Sequence, residues 1–495
     1  MSSLGSPSTF FLAKKKAYEI ERSLRVNDDD SAYLSRTPSS AGNRRTFTIS
    51  LWTKRANFTG ALFGSYISDA DRATLRFTSD YLEFQSAGAS VKTNAVFRDP
   101  SAWYHIVCAI DTTQGTQSNR GKLYVNGVQQ ELSSNNFSQD VETSVNNNSL
   151  HVLGTRWASG SANMLYDGYL AEVHLIDGSA LTPSSFAETD VLTGEYKPKK
   201  YTGGYGTNGF YLNFSDNSGT TATTLGKDYS GNGNNFTPNN FSVAAGKDDD
   251  SSFDSPTNNF PTLSPISKSS EPTLTNGNLR WYYNYKPASK TVRATMALPS
   301  TGKIYMEWEN EQPSSQGGRM SWGLVRYASQ SSTYDYQAYN NVDYINISYG
   351  GSMWNGTTHV NPAWSSPPTF YSGERCALAI DCSNGKWWVG KVASNGTTTW
   401  YAADGGTDGD PAGGTNETAT LPSFTTATEW IPFVGWHDGG GAVTQQFSAN
   451  INFGNHSFLG TVPNGFEKLC SANLSDPSIA EGNKHFDTLL WTGNS

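Results

Sequence analysis

The sequence predicts an all-β protein made of two β-sandwiches in series. Apolar side chains recur at every second position, as at Ile106, Cys108 and Ile110, and this period is typical of strands with one buried face. Gly, Ser, Thr and Asn are abundant and charged residues make up only 16% of the chain, which favours short strands and turns over helices. A chain of 495 residues exceeds what one hydrophobic core usually supports.

Residues 103–130 show the strand pattern most clearly. An alternating strand leads through a polar loop to a second strand that ends at Asn126-Gly127. This dipeptide accepts the two positive φ angles of a type I′ turn, so residues 128–132 are predicted to return as the hairpin partner. Residues 371–392 repeat the pattern. Each half of the chain therefore has its own hairpin around which a sandwich can form.

The chain divides into five predicted segments. Residues 1–22 are Ser-, Gly- and Pro-rich and then basic, and they form an N-terminal arm, either frayed or docked. Residues 23–193 form the first sandwich. Residues 194–270 contain Gly, Asn and aromatic islands that cannot bury a core of their own, so they are predicted to be a strap on the sandwiches up to about residue 245 and a linker beyond it. Residues 271–473 form the second sandwich, and 474–495 a tail.

One strand is assigned in more detail because it lies near the end of the first sandwich. In the stretch 167–175 the alternation places three apolar residues on the inward face, namely Ala171, Val173 and Leu175.

Composition excludes several functions. The net charge is -9 and no face carries a run of Lys and Arg, so we expect no nucleic-acid partner. No stretch approaches the ~20 apolar residues of a membrane span, and the short apolar run at 10–13 precedes its lysines, the wrong order for a secretory signal. The four cysteines lack metal-binding spacing and are expected to be free buried thiols; they are Cys108, Cys376, Cys382 and Cys470.

Three motifs in the first half occur in a recognisable order. They are a Trp-x-His strand at 103–107, a Leu-Tyr-x-x-Gly strand at 123–127 and an Asp-Gly strand at 167–173. In this order they make residues 23–193 resemble a laminin G-like or pentraxin-like domain of the concanavalin A superfamily. In the second half, the order of residues 302–308, 322–324, 373–388, 452–458 and 463–466 resembles a SPRY-like domain. The resemblance implies two concanavalin A-like jelly-roll sandwiches joined by an irregular aromatic and Gly-rich strap.

Nearly the whole chain is similar to marine bacteriophage proteins that pair a laminin G-like with a SPRY-like domain. The resemblance implies a virion structural protein, made in the host cytoplasm and placed on the tail or an appendage, which attaches to host-surface polysaccharide. It also implies contacts with other virion proteins and a homo-oligomer, with a trimer favoured for a fibre. The alternatives are a capsid-decorating or baseplate component without glycan binding, and a glycan depolymerase.

The depolymerase alternative depends on the acidic stretch 307–311. It resembles the catalytic strand of laminarinase-like glycoside hydrolases, in which the outer carboxylates, here Glu307 and Glu311, act as nucleophile and acid. The central Asp of that motif is replaced by Glu309. At ~3.3 Å per residue the outer pair stands about 13 Å apart, whereas a retaining pair needs ~5 Å. We therefore predict that the protein is not an enzyme and that this stretch is a strand face exposed to solvent.

A turn with three consecutive aspartates is the candidate metal site. Asp28, Asp29 and Asp30 offer the hard oxygen ligands that Ca²⁺ prefers, and laminin G-like and pentraxin-like relatives bind calcium at a sandwich rim. Asp167 is a further candidate ligand. The alternative is an Asp-rich turn held by local hydrogen bonds, without any cofactor.

Glycan recognition commonly uses aromatic rings that stack on the apolar side of a pyranose. Five tryptophans lie in Gly-, Ser- and Asn-rich stretches predicted as loops, and these are the candidate glycan-binding residues, with burial in a core as the alternative for each: Trp157, Trp354, Trp364, Trp400 and Trp436. His105 and His174 lie on predicted strands and are expected to be structural.

Overall fold

A computed structural model of the chain shows an all-β architecture of two sandwiches, here called the first and second lobes. The structure describes residues 18–191, 193–268, 272–284, 290–311, 320–326, 344–348, 350–351, 353–355, 358–359, 367–420, 430–436 and 446–474. These residues contain no α-helix, only 3₁₀ turns at Gln117–Asn119, Pro183–Ser185 and Ser471–Asn473. No helix in the described part of the chain has the length and hydropathy needed to cross a bilayer.

The first lobe packs two large antiparallel sheets face to face. One has the order β10-β9-β8-β3-β15-β1-β20, with β18 also paired to β15, and the other has the order β11-β7-β6-β5-β4-β12-β2-β19. The strands of this lobe are β1 (Ser23–Val26), β2 (Tyr33–Arg36), β3 (Thr46–Arg55), β4 (Gly60–Tyr66), β5 (Arg72–Thr78), β6 (Tyr81–Ser86), β7 (Ala89–Val96), β8 (Trp103–Asp111), β9 (Gly121–Val125), β10 (Val128–Gln129), β11 (Leu132–Asn135), β12 (Leu150–Leu153), β13 (Arg156–Ala158), β14 (Ser161–Asn163), β15 (Gly168–Asp177), β16 (Ala187–Thr189), β17 (Tyr196–Pro198), β18 (Phe210–Leu212), β19 (Thr237–Asn239) and β20 (Ser251–Ser252).

The second lobe repeats the two-sheet design. Its sheets have the orders β21-β24-β34-β26-β27-β28-β29 and β22-β23-β35-β25-β30-β31-β32, with β33 paired to β31 and β36 to β25. Its strands are β21 (Leu263–Lys268), β22 (Thr273–Thr275), β23 (Arg280–Asn284), β24 (Lys290–Ala294), β25 (Lys303–Asn310), β26 (Met320–Arg326), β27 (Tyr344–Ser348), β28 (Met353–Asn355), β29 (Thr358–His359), β30 (Arg375–Asp381), β31 (Lys386–Val392), β32 (Thr398–Tyr401), β33 (Ala419–Thr420), β34 (Trp430–Trp436), β35 (Gln446–Asn452) and β36 (Glu467–Lys468).

The two lobes have separate hydrophobic cores. In the first, alternate residues of β8 such as Ile106 and Ile110 point into the space between the sheets. In the second, large indoles fill the same space, and Trp308 and Trp322 are 1% exposed. The four cysteines are free and buried, as predicted.

The predicted hairpin after β9 is confirmed. Asn126 and Gly127 have φ angles of 49° and 82°, and Val125 pairs directly with Val128 across them. This two-residue turn matches the right-handed twist of the flanking strands because both central residues take positive φ.

Strand β15 contains a bulge that the sequence did not reveal. Its register with β3 shifts between Ala171 and His174, and Glu172 in the bulge has a φ of 48°. The extra residue changes the alternation, so Ala171 packs on the outer face of the sheet with Trp52, while Val173 faces the core. The prediction that Ala171 faces inward is therefore wrong.

The predicted strap adds strands to the first lobe. Strand β18 pairs with β15, β19 with β2, and β20 with β1. Phe210, Leu212 and Phe236 are buried in the same core as β8. The strap therefore completes this lobe rather than only lying on it.

The stretch from 246 to 260, here called the crossing segment, contacts both lobes. Arg25 of β1 forms a buried ion pair with Asp250 at 2.9 Å, and Lys54 of β3 forms one with Asp254 at 2.8 Å. On the other side, the Phe253 amide donates to the Asn455 carbonyl at 2.7 Å. The expected linker is thus a buried, ordered connection, because its carboxylates pair with cations on the outer face of the first lobe.

Candidate functional site

A cleft of about 610 Å³ opens on the outer face of the first lobe beside β15. This volume lies within the range of about 300–1,000 Å³ that is usual for ligand sites. The strap and the segment 18–21 form its walls. We call it the tyrosine cleft after the five tyrosines that line it, which are Tyr18, Tyr201, Tyr205, Tyr211 and Tyr229.

Strand pairing explains where the central tyrosine lies. Tyr211 of β18 pairs with His174 of β15, so the two side chains lie on the same outer face, with their ring centroids 4.4 Å apart and their planes 5° apart. The rings of Tyr205 and Tyr201 lie 6.0 Å and 6.1 Å from that of His174. The imidazole thus contacts three tyrosines of the cleft.

His174 is uncharged in this position. It is 3% exposed, and burial lowers the pKa of its imidazole to about 3. Its Nδ1 atom lies 3.2 Å from the Tyr205 hydroxyl, within hydrogen-bond distance. The prediction of a structural histidine fits this geometry, although the residue lies directly behind the cleft.

The bulge in β15 directs Glu172 into the cleft. Bulges commonly redirect a side chain beside a functional site, and a positive φ at a residue other than glycine is a strained conformation. The Glu172 carboxylate accepts hydrogen bonds from the hydroxyls of Tyr18 and Tyr211, each at 2.6 Å. Burial raises the pKa of this carboxyl above its usual value, while the two phenol donors act against that rise.

The cleft therefore combines flat aromatic rings with a fixed carboxylate at its base. Asn213, Ser215 and Ser230 add neutral hydrogen-bonding groups to the lining. Rings and hydrogen-bonding groups together suit a ligand with one apolar face and a polar edge, such as a sugar ring.

The predicted tryptophans lie outside this cleft. Trp157 on β13 is half-buried, with its ring 5.9 Å from that of Tyr33. Trp400 on β32 is half-buried against Tyr305 of the second lobe, at 6.3 Å. Trp364 and the side chains of Trp354 and Trp436 lie outside the described residues. The role of these tryptophans in glycan binding stays a prediction.

Glu307 at one end of the acidic stretch has structural partners. It is 1% exposed and accepts hydrogen bonds from the Tyr305 hydroxyl at 2.7 Å and the Gly460 amide at 2.8 Å. This face of β25 is therefore covered, and the expectation of a solvent-exposed acidic face is wrong. The cover comes from the segment after β35, which folds back across the strand.

Glu311 at the other end is held by three donors. It accepts hydrogen bonds from Arg280 at 2.8 Å, Ser448 at 2.7 Å and Asn450 at 2.6 Å. Burial alone would raise its pKa, but the hydrogen bonds from Arg280 and Ser448 lower the pKa of this carboxyl to about 2. A carboxyl this acidic cannot serve as a general acid near neutral pH.

The three aspartates of the predicted calcium site lie in the turn after β1. Asp28 is half-buried and accepts a hydrogen bond from Asn57 at 3.3 Å, whereas Asp29 and Asp30 are exposed. Across the described ranges, no group of three or more His, Cys, Asp or Glu side chains is arranged to hold a metal ion. The residues as placed do not form a calcium cage, and calcium binding stays a prediction.

Asp167, the further candidate ligand, serves a contact between the lobes. It is 3% exposed, and its Oδ1 atom accepts a hydrogen bond from the Gly277 amide at 2.9 Å. Burial, with the nearby charge of Asp28, raises the pKa of this carboxyl to about 8.

Sequence reasoning missed the tyrosine cleft for an identifiable reason. The aromatic islands of the predicted strap contain Tyr201, Tyr205, Tyr211 and Tyr229, and the sequence predicts for them only that they lie on the sandwiches. The position of these tyrosines next to Ser and Asn residues was a sequence signal for a polar binding site. The bulge at Glu172 has no sequence signal, because it depends on the pairing of β15 with β3.

Comparison with known proteins supports the fold of the first lobe. Residues 27–186 match the family model of a laminin G-like domain described as the concanavalin A-like lectin/glucanases superfamily. No curated protein matches the chain.

A search of solved structures also finds matches, all at low identity. A heptameric pentraxin from Limulus polyphemus is 18% identical, with 34% of this chain and 80% of that chain covered and a TM-score of 0.27. Domains LG4-5 of the mouse laminin alpha1 chain are 11% identical, with 92% and 88% covered and a TM-score of 0.28. The SPRY domain of human HERC1 is 10% identical, with 38% and 96% covered and a TM-score of 0.25. The chain thus carries a laminin G-like, concanavalin A-like domain at residues 27–186.

Proposed function

We propose that the protein binds carbohydrate without cleaving it and that the tyrosine cleft is the binding site. The observation that carries the proposal is the strained bulge that fixes the Glu172 carboxylate at the base of a tyrosine-lined cleft. The lectin-like superfamily of the first lobe agrees with this function.

The physical basis is the match between the cleft and a pyranose ring. Tyr201 stacks one face of its ring on Phe186, with centroids 5.1 Å apart and planes at 22°. A ring supported in this way is held rigidly, so a ligand that stacks on it loses little conformational entropy of the protein. The polar groups of the strap then hydrogen bond to the sugar hydroxyls.

Replacement of Tyr201 by alanine should weaken glycan binding about tenfold, because a stacked ring contributes on the order of 1 kcal/mol beyond its buried area. The measurement is binding to an array of bacterial surface glycans, followed by titration calorimetry with the strongest binder. Tyr201→Phe retains the ring and should bind like the parent. Tyr371→Ala, at a tyrosine that is 40% exposed in the second lobe, is the matched control. Equal affinity of all four proteins would contradict the proposal.

For the biological role, we propose a fibre or appendage subunit of a bacteriophage that attaches to host-surface polysaccharide. This role is suggested by the resemblance of nearly the whole chain to marine phage proteins that pair a laminin G-like with a SPRY-like domain. Repeated copies would strengthen weak glycan contacts by avidity, and this is consistent with a homo-oligomer such as a trimer. Antibody labelling of the particle tests the location. Label at exposed tips supports attachment, whereas label buried between subunits supports the architectural alternative.

Calcium binding to the turn after β1 is tested separately. If Asp28 is a ligand, excess calcium should raise the melting temperature by a few degrees relative to a chelator, because a ligand that binds only the folded state stabilises it. Asp28→Asn should abolish that rise. The same melting temperature with calcium and chelator would show that the turn is held by its own hydrogen bonds.

A further inference from the structure

Among the residues that the structure describes, Glu172 is a buried carboxylate without a Lys or Arg side chain in ion-pair distance. It is 5% exposed, and the basic group within ion-pair distance among the described residues is His174, whose Nε2 atom lies 3.9 Å away. That imidazole is neutral, because burial lowers its pKa to about 3. Buried carboxylates are usually paired with a positive charge, so the missing partner calls for an explanation.

The rest of the cleft adds negative charge at its mouth. Glu21 lines the cleft and is exposed, and Lys200 is the basic residue in the described lining. With Glu172 at the base, the described lining thus offers these two carboxylates against one ammonium group. The resulting potential repels anionic ligands and attracts cationic ones.

The tyrosine rings favour the same ligand class. A cation over an aromatic face gains about 0.5–2 kcal/mol, depending on how far it is desolvated. Tyr18 and Tyr211 donate their hydroxyls to Glu172, so their rings lie next to the carboxylate. Each carboxylate oxygen retains a lone pair for a further donor. The site thus offers both π faces and an acceptor to one ammonium group.

We infer that the tyrosine cleft recognises a glycan with a free amino group, whose ammonium pairs with Glu172 while the sugar ring stacks on the tyrosines. This inference deepens the proposed function and rests on it. It assigns amino sugars as the ligand class and excludes uronates and sulfated sugars as preferred ligands.

Three oligosaccharides of identical backbone test the ligand class. The hexamers of β-1,4-linked glucose, N-acetylglucosamine and glucosamine differ only at carbon 2. At a pH of about 6 the glucosamine hexamer carries ammonium groups, and we expect it to bind about tenfold more tightly than the other two. The measurement is titration calorimetry of the full chain with each hexamer at two salt concentrations, and the preference should shrink at high salt.

Glu172→Gln isolates the carboxylate charge. The amide has the same shape and can bond both phenols, so the cleft should persist while the preference for the glucosamine hexamer disappears. Affinity for the glucosamine hexamer should fall further than affinity for the two neutral hexamers, and it is this difference that the variant measures. Glu142→Gln, at a carboxylate with 48% side-chain exposure on the same lobe, is the control and should retain the preference. Equal melting temperatures of the variants confirm that the fold is intact.

The outcomes separate the two proposals. If all three hexamers bind equally and Tyr201→Ala weakens each of them, the cleft is a glycan site but the inference about amino sugars is wrong. If Glu172→Gln retains the preference, the inference is also wrong. If neither Tyr201→Ala nor Glu172→Gln alters binding to any glycan, both proposals fail.

Discussion

Replacement of Lys54 by methionine is expected to lower the free energy of unfolding by about 3–5 kcal/mol, since removal of one partner of a buried ion pair leaves the other charge uncompensated. The side chains of Lys54 and Asp254 are 1% and 0% exposed. The ammonium also donates to the Asn259 amide oxygen at 2.8 Å. Methionine keeps most of the apolar length but none of these bonds, so the Asp254 charge would remain in a dry environment.

Chemical denaturation of the full chain measures this effect. The control is Lys197→Met, which breaks a pair with Asp190 whose side chains are 30% and 26% exposed and should cost at most about 1 kcal/mol. The double variant Lys54→Met/Asp254→Asn should recover part of the lost stability, because it also removes the unpaired charge of Asp254. A Lys54→Met protein as stable as the control would show that the pair contributes nothing to the attachment of the crossing segment.

Stability should also decrease as the pH rises through the neutral range, because of Asp167. Its folded pKa is about 8, whereas the ordinary value is 3.8. Between these pH values the folded chain retains a proton that the unfolded chain has released, so the free energy of unfolding falls with rising pH. The stabilisation is complete below the pKa of Asp167 in the unfolded chain. It is lost as the pH rises through the pKa of Asp167 in the folded chain. The full shift corresponds to a loss on the order of 5 kcal/mol.

Asp167→Asn provides the test, because asparagine retains an oxygen for the Gly277 amide and has no charge to bury. The difference in melting temperature between parent and variant should change steadily between pH 4 and pH 8, with the variant more stable at the alkaline end. Asp140→Asn, at a carboxylate that is 55% exposed, should follow the parent at every pH. Parallel curves for Asp167→Asn and the parent would contradict the raised pKa.

Local pattern was sufficient to predict the regular parts of this fold. The alternation in β8 and the dipeptide Asn126-Gly127 are short-range signals, so the hairpin was predicted correctly. Lys54 shows the limit of that reasoning. Its place on the outer face of β3 predicts a solvent-exposed lysine, but the crossing segment covers it, and that contact joins residues 200 positions apart.

The site was harder to predict than the fold for a related reason. Glu172 lies within an alternating stretch and would point to the outer face of a regular strand. Its strained backbone and its position in the cleft arise from the pairing of β15 with both β3 and β18. Tyr18 reaches the same carboxylate from a segment 154 positions away. No local window of sequence contains β3, β15, β18 and the segment of Tyr18 together.

The strands that the strap and the crossing segment add to the first lobe also affect how this lobe folds during synthesis. Because β1 pairs with β20, the N-terminal edge of the sheet lacks its neighbour until Ser252 has left the ribosome. During synthesis the nascent lobe therefore carries an open sheet edge, and the Trp103 indole lacks its Asp254 acceptor, so a strand edge that can pair with other chains is exposed. Premature termination ahead of the crossing segment should consequently yield an aggregation-prone product rather than a smaller functional domain.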